Sequence, residues 1–61
     1  MMKLVEVPKE LVEAEEFLFT LSKNHVKMAV VVKYFEYSVA ELRGVSSEID
    51  EVMKAYKLEE F

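Results

Sequence analysis

The sequence has few of the residues that stabilise or activate very small proteins. It contains no cysteine, and its one histidine, His25, has no second ligand at a metal-binding spacing, so neither a disulfide nor a zinc centre is predicted. Gly44 is the only glycine, which excludes a glycine-rich loop that binds phosphate. Because glycine and proline occur once each and 52% of the residues are hydrophobic, disorder and low complexity are excluded as well.

Long apolar runs are missing too. Lys27 and Lys33 interrupt the most apolar run, which therefore falls short of the roughly 20 residues that a membrane span needs. Residues 1–7 carry one lysine and no following apolar core, unlike a secretory signal. Tryptophan and glutamine are absent and Glu and Lys dominate the charged residues, a composition typical of thermophilic proteins. We expect a cytoplasmic, thermophile-like protein.

Groups suited to catalysis are also scarce. His25 has no cysteine and no evident serine partner, so it is interpreted as a solvated or capping residue. The glutamates Glu10, Glu13, Glu15 and Glu16 are interpreted as a solvated helix face. We predict that the protein is not an enzyme and has no cofactor and no metal site. The net charge of −4 argues against nonspecific binding of nucleic acid by the chain as a whole.

Three segments outside the middle of the chain have clear patterns. Residues 3–7, KLVEV, are predicted to form a strand that ends at Pro8. Residues 8–23 are predicted to form a helix, because apolar residues recur there at the i, i+3, i+7 spacing. Residues 46–59 are predicted to form a second helix, with a serine N-cap, acidic residues in the first turn and an apolar stripe.

The middle of the chain, Val26 to Leu42, is its most apolar run and has two interpretations. Its valines and aromatic residues suit a buried strand. Its length and its ending, where Arg43 precedes Gly44, are instead typical of a helix with a glycine C-cap. We favour a helix over residues 26–43. The alternative is an α+β fold in which Val26–Val39 is a strand paired to residues 3–7.

The chain is thus predicted to be mostly α: one domain, 1–61, with a short N-terminal strand followed by three helices. A lone strand has no partner within such a chain and would pair with the same strand of a second copy. A chain of 61 residues buries only about 60% of its unfolded surface, and the flanking segments are too short to enclose the central helix. Both arguments predict a homodimer.

Exposed aromatic and β-branched residues are the candidates for partner contact, although core packing is open for each aromatic residue. The predicted interface consists of Phe17, Phe19, Val31, Tyr34, Phe35 and Tyr37.

The stretch Leu4 to Val12, LVEVPKELV, resembles the start of a ribbon-helix-helix repressor, with a short strand, a proline and then Glu-Leu opening a helix. In that family two chains pair their strands into a ribbon that enters the major groove of DNA. The resemblance implies a dimer through this strand. The basic residues around it, Lys3 and Lys9, are the predicted DNA contacts.

The stretch Ala40 to Ser46, AELRGVS, resembles the tail of small archaeal and bacterial antitoxin-like proteins encoded beside PIN-domain toxins. A glycine C-cap followed by a serine N-cap explains the same residues. The helix that follows is acidic at Glu48, Asp50 and Glu51, which disfavours insertion into DNA and suits a basic protein partner.

Together these observations predict a small, dimerising, non-enzymatic module. We expect it to be antitoxin-like or transcription-regulator-like, with a toxin or other protein as its partner and operator DNA as a further one. The alternative is an oligomeric structural or adaptor protein without a nucleic-acid role.

Overall fold

The computed structural model describes all residues, 1–61, and contains four strands and three helices. In chain order they are β1 (Met2–Pro8), α1 (Lys9–Val12), α2 (Glu15–Lys23), β2 (Lys27–Lys33), β3 (Tyr37–Arg43), α3 (Ser46–Tyr56) and β4 (Glu59–Glu60). No helix has both the length and the hydrophobicity needed to cross a membrane.

The strands form one antiparallel sheet in the order β2-β3-β1-β4. β1 pairs with β3 along its whole length, from Met2 opposite Arg43 to Pro8 opposite Tyr37. On its other side β1 pairs with the two residues of β4. Beyond the end of β1, the N–H of Gly44 donates to the carbonyl of Met1 at 3.0 Å, so the β3 side of β1 is paired along its whole length, whereas β4 and the N–H of Phe61 cover only the middle of its other side.

The order of elements is β-α-β-β-α-β when α1 and α2 are taken together as the first crossover. Since β1 and β2 are both antiparallel to β3, they are parallel to each other with β3 between them. In the same way β3 and β4 are parallel with β1 between them. The chain therefore consists of two interleaved split β-α-β units, the ferredoxin-like motif.

The core lies between one face of the sheet and the helices. Alternate residues of a strand point to opposite faces, and those of β1 and β3 that face the helices are fully or nearly fully buried, except for the partly buried Lys3. The core cluster contains Val5, Val7, Phe17, Leu21, Val26, Ala40, Leu42, Ile49, Val52 and Leu58. The other face of the sheet has no helix over it, although Val39 is buried there between its cross-strand neighbours Glu6 and Val32.

The predicted mostly α fold is wrong, because residues 26–43 form a β-hairpin and not a helix. Two physical features decide this. The three consecutive valines of β2 are branched at Cβ, which restricts their rotamers in a helix and favours a strand. In β3 the helix-facing residues Ser38, Ala40 and Leu42 alternate along the strand and complete the core.

The α+β alternative has the right class of fold but treats this hairpin as one strand. The chain reverses at Tyr34-Phe35-Glu36, where the N–H of Tyr34 donates to the carbonyl of Tyr37 at 2.8 Å. This turn has no glycine, proline, asparagine or aspartate, the residues that usually indicate a turn. The segment that pairs with β1 is therefore β3, which lies beyond the turn.

Two predicted helices also differ in extent from the structure. The predicted helix 8–23 is interrupted at residues 13–14, where Ala14 has extended backbone angles and begins α2 as its N-cap. Nothing in the local sequence requires this break. The predicted helix 46–59 ends at Tyr56, because Lys57 adopts the left-handed conformation (φ 55°) and the chain turns back to pair β4 with β1.

The sheet also removes one argument for a dimer. A lone N-terminal strand would need a second copy to satisfy its backbone groups, but β3 and β4 of the same chain supply these hydrogen bonds. The strand therefore does not need a second copy to satisfy its pairing with a neighbouring strand.

Candidate functional site

The most distinctive surface of the molecule is the outer edge of the sheet at β2. β2 pairs with β3 on one side and has no strand on the other. Six of its seven residues are exposed, including the consecutive valines Val30, Val31 and Val32. A β-bulge between Val30 and Val32 leaves Val31 without a partner on β3, and its side chain is 61% exposed.

An aromatic turn continues this edge. Tyr34 and Phe35 follow β2 directly, and Phe35 is 80% exposed. The turn is held from two sides: the rings of Tyr34 and Tyr37 lie 5.1 Å apart, and the N–H of Lys9 donates to the carbonyl of Glu36 at 3.0 Å. The ammonium of Lys9 also lies 5.3 Å from the centre of the Phe35 ring, within the range of a cation–π contact. We call Met28, Val30, Val31, Val32, Tyr34 and Phe35 the edge surface.

Two grooves flank β2 on the side that faces the helices. The first, which we call the α2 groove, has a volume of about 460 Å³ and lies between α2 and the start of β2. Its apolar walls are Leu18, Leu21, Val26 and Met28. The second, which we call the turn groove, has a volume of about 260 Å³ and lies at the end of β2. It is lined by Lys9, Val12, Glu13, Lys33, Tyr34, Phe35 and Ser38.

The charge of β2 is entirely positive. Lys27 begins the strand and Lys33 ends it, with no acidic residue between them. Neither lysine has a carboxylate within ion-pair distance, since the ion pairs of the chain are Lys3–Asp50, His25–Glu48 and Arg43–Glu41. Lys27 lies directly across from Arg43, a like-charged pair of a kind that destabilises a sheet.

The structure divides the predicted interface residues into separate groups. Val31, Tyr34 and Phe35 come together on the edge surface, and Tyr37 is partly buried beside Tyr34. Phe19 is exposed on α2 but lines neither groove. Phe17 is fully buried, so it belongs to the core and cannot contact a partner.

The two lysines predicted to contact DNA are placed apart. Lys3 lies on the helix-facing side of β1, where its ammonium donates a 3.0 Å hydrogen bond to Oδ1 of Asp50. This hydrogen bond, with the negative charges of Asp50 and Glu60, raises the pKa of Lys3 against the opposing effect of desolvation. Lys9 follows the other end of β1, roughly 20 Å away along the extended chain. The two residues therefore do not form one basic surface.

Elsewhere the structure brings few reactive groups together. His25 is largely exposed, and its Nδ1 lies 3.6 Å from a carboxylate oxygen of Glu48. A third groove of about 240 Å³ contains Glu6, Glu36 and Glu59 together with Lys57. These carboxylates do not converge as metal ligands would.

Several residues of the candidate site were not predicted from the sequence: Leu18, Met28, Val30, Val32, Lys27 and Lys33. In the interpretation of residues 26–43 as a helix, the five of these residues that lie in that segment are distributed around the helix, and Leu18 belongs to the preceding predicted helix, so the six form no common surface. The available signal was the segment KMAVVVK itself, a β-branched run with a lysine at each end, which is typical of a protected edge strand.

Comparison with known proteins supplies no relative for this site: no protein-family model matches the chain, and no curated protein or solved structure is significantly similar to it. The split β-α-β topology carries many unrelated functions and implies none by itself. Function must therefore be argued from the edge surface and its surroundings.

Proposed function

We propose that the chain is a cytoplasmic, non-enzymatic interaction module, antitoxin-like or transcription-regulator-like in role, that holds a protein partner at the free edge of its sheet. One observation carries this proposal: β2 is a seven-residue strand with an unpaired outer edge and three consecutive exposed valines. An edge of this kind presents unused N–H and C=O groups to which another chain can add a strand.

The surroundings of β2 support strand addition over simple surface contact. Backbone hydrogen bonds along the edge would supply affinity, and grooves beside the strand would receive alternate side chains of the partner. The α2 groove and the turn groove lie at the two ends of β2 in the positions that such side chains reach. The exposed ring of Phe35 extends the apolar contact beyond the strand.

Site-specific crosslinking tests this proposal. We expect a photo-crosslinking residue in place of Val31, introduced into the protein in its native host, to trap one discrete protein species. The same residue in place of Ala55, an exposed position on α3, is the matched control and should trap none. Identical adducts from both positions, or none from Val31, would count against the edge as the binding surface.

The mass of the adduct separates the two roles. An adduct with a different protein supports the antitoxin-like or regulator-like role, above all if a PIN-domain toxin is encoded beside this chain. An adduct between two copies of the chain supports the alternative, an oligomeric structural or adaptor protein. Operator DNA has less support as a partner, because Lys3 is paired with Asp50 and lies far from Lys9. Salt-sensitive binding of the upstream DNA in a gel-shift assay would support DNA as a partner again.

A further inference from the structure

We propose that the partner strand at β2 is an acidic extended segment, with a carboxylate at each end and apolar side chains at alternate positions between them. This inference rests on the proposed function and specifies the chemistry of the partner. It follows from the geometry of the grooves, from the charges of the strand and from the bulge at Val31.

The spacing of the partner can be taken from β3, which occupies the inner side of β2. Six residues of β3, Ser38–Arg43, lie opposite the segment from Lys33 back to Lys27, with the bulge absorbing the additional residue of β2. An antiparallel strand added to the outer side covers the same six positions. Its first residue lies opposite Lys33 and its sixth residue lies opposite Lys27.

Three of these six positions face the helices. The first residue, opposite Lys33, points toward the turn groove, and the third lies opposite Val30. The fifth residue lies opposite Met28 and points toward the apolar α2 groove. Residues one and five are about 13 Å apart in an extended chain, so one short segment reaches both grooves. The third and fifth residues should be apolar, because Val30, Met28 and Leu18 surround them.

The first and sixth positions require negative charge. At the first, a carboxylate would meet the ammonium groups of Lys33 and Lys9, which outnumber the one carboxylate that lines the turn groove, that of Glu13. At the sixth, a carboxylate would meet Lys27 on the helix-free face and offset its repulsion with Arg43. The net charge of the protein, −4, repels an acidic segment, but most of its charges lie farther from the site than the screening length of about 8 Å at physiological ionic strength. The nearby lysines therefore outweigh this repulsion once the segment is in contact.

A second copy of β2 fits this edge less well. Two paired β2 strands would bring together two lysines from each copy and no carboxylate from either strand. Each copy would also bring its own bulge, so the paired strands would contain two distortions of the hydrogen-bond ladder. A different, acidic chain meets neither difficulty.

The test uses a blocked hexapeptide, acetyl-Glu-Thr-Val-Thr-Leu-Glu-amide, and a control peptide in which both glutamates are replaced by lysine. Both are titrated into ¹⁵N-labelled protein at 0.1 M salt while the backbone amides are followed by NMR. We expect the glutamate peptide to shift the amides of β2 and to bind with a Kd roughly tenfold lower than that of the lysine peptide. At 1 M salt this preference should largely disappear.

The double variant Lys27→Glu, Lys33→Glu supplies the decisive control. Both side chains are exposed, so the fold should persist, as the dispersion of its amide spectrum will show. The variant should prefer the lysine peptide. Equal binding of both peptides at the β2 amides would overturn the acidic partner and leave the proposed function standing.

Two further outcomes complete the test. A protein that is a dimer without peptide, with its β2 amides protected, would overturn the acidic partner in favour of a second copy. If neither peptide shifts the β2 amides and Val31 traps no protein in the crosslinking experiment, the proposed function fails together with this inference.

Discussion

At the scale of single residues, Phe17 and Phe19 show how the fold separates two aromatic side chains that lie two positions apart in the sequence. Phe17 is fully buried, and its ring meets that of Tyr56 edge to face, with ring centres 5.0 Å apart. The hydroxyl of Tyr56 is also within hydrogen-bond distance of the hydroxyl of Thr20 at 3.1 Å. Phe19, two positions further along α2, is 70% exposed. Substitutions at these two positions therefore distinguish the energetic contribution of a core side chain from that of a surface side chain.

Replacing Phe17 by alanine should remove most of the stability of the protein. A buried Phe→Ala change costs about 3–5 kcal/mol, and a chain of 61 residues has a total of roughly 3–9 kcal/mol. The matched change Phe19→Ala should alter the free energy of unfolding by less than about 0.5 kcal/mol. Urea denaturation followed by circular dichroism measures both. Equal losses for the two variants would contradict the packing described for α2.

Lys3 should make stability depend on pH in the alkaline range. Its pKa is raised above the ordinary value of 10.5, chiefly by the hydrogen bond to Asp50, so the folded state holds this proton more tightly than the unfolded state. The resulting stabilisation is fully present below pH 10.5 and is lost as the pH rises through the raised pKa.

This dependence is measured as the difference in unfolding free energy between the natural protein and Lys3→Met, from pH 8 to pH 11.5. The difference should be constant at the lower end and should shrink above pH 10.5. Lys54→Met, at an exposed position on α3 without an ion pair, keeps the same tyrosines and serves as the control. A difference that grows with pH would be inconsistent with the Lys3–Asp50 contact.

At the scale of elements, the strands differ in how well their neighbours protect them. β1 and β3 are interior strands with buried side chains, whereas β2 is exposed on its outer side and β4 has only two residues. Native-state hydrogen exchange should therefore be slowest in β1 and β3 and faster in β2 and β4. Uniform protection of residues 26–43 with the pattern of a continuous helix would contradict the hairpin.

The elements also show how far the sequence alone could lead. Pro8 and the β-branched residues before it indicate a strand at the position of β1, and the apolar stripe from Ile49 to Tyr56 indicates a helix at the position of α3. The hairpin cannot be identified from the sequence pattern, because its turn, Tyr34-Phe35-Glu36, has none of the usual turn residues. If residues 26–43 are interpreted as a helix, Lys27 and Lys33 are no longer the two ends of one strand, and the positive charge of a sheet edge cannot be predicted from them.

At the scale of the whole molecule, the two edges of the sheet are unequal. β4 closes one side with two glutamates and is followed by Phe61, whose N–H donates to the carbonyl of Leu4 at 2.8 Å. The other side ends in β2, which is longer, apolar and positively charged at both ends. A chain with a net charge of −4 thus keeps its one long, unpaired edge basic. The two sides of the sheet therefore differ in length, in hydrophobicity and in charge.

The bulge at Val31 also affects how the protein behaves when it is concentrated. Three valines on a sheet edge have the β propensity and the lack of proline that allow identical segments to stack into fibrils. Stacking of that kind needs flat strands in one regular register, and a bulge bends and twists the strand away from it. The lysine at each end adds repulsion between successive copies. We therefore expect the open edge of β2 to be less prone to fibril growth than a flat, uncharged edge would be.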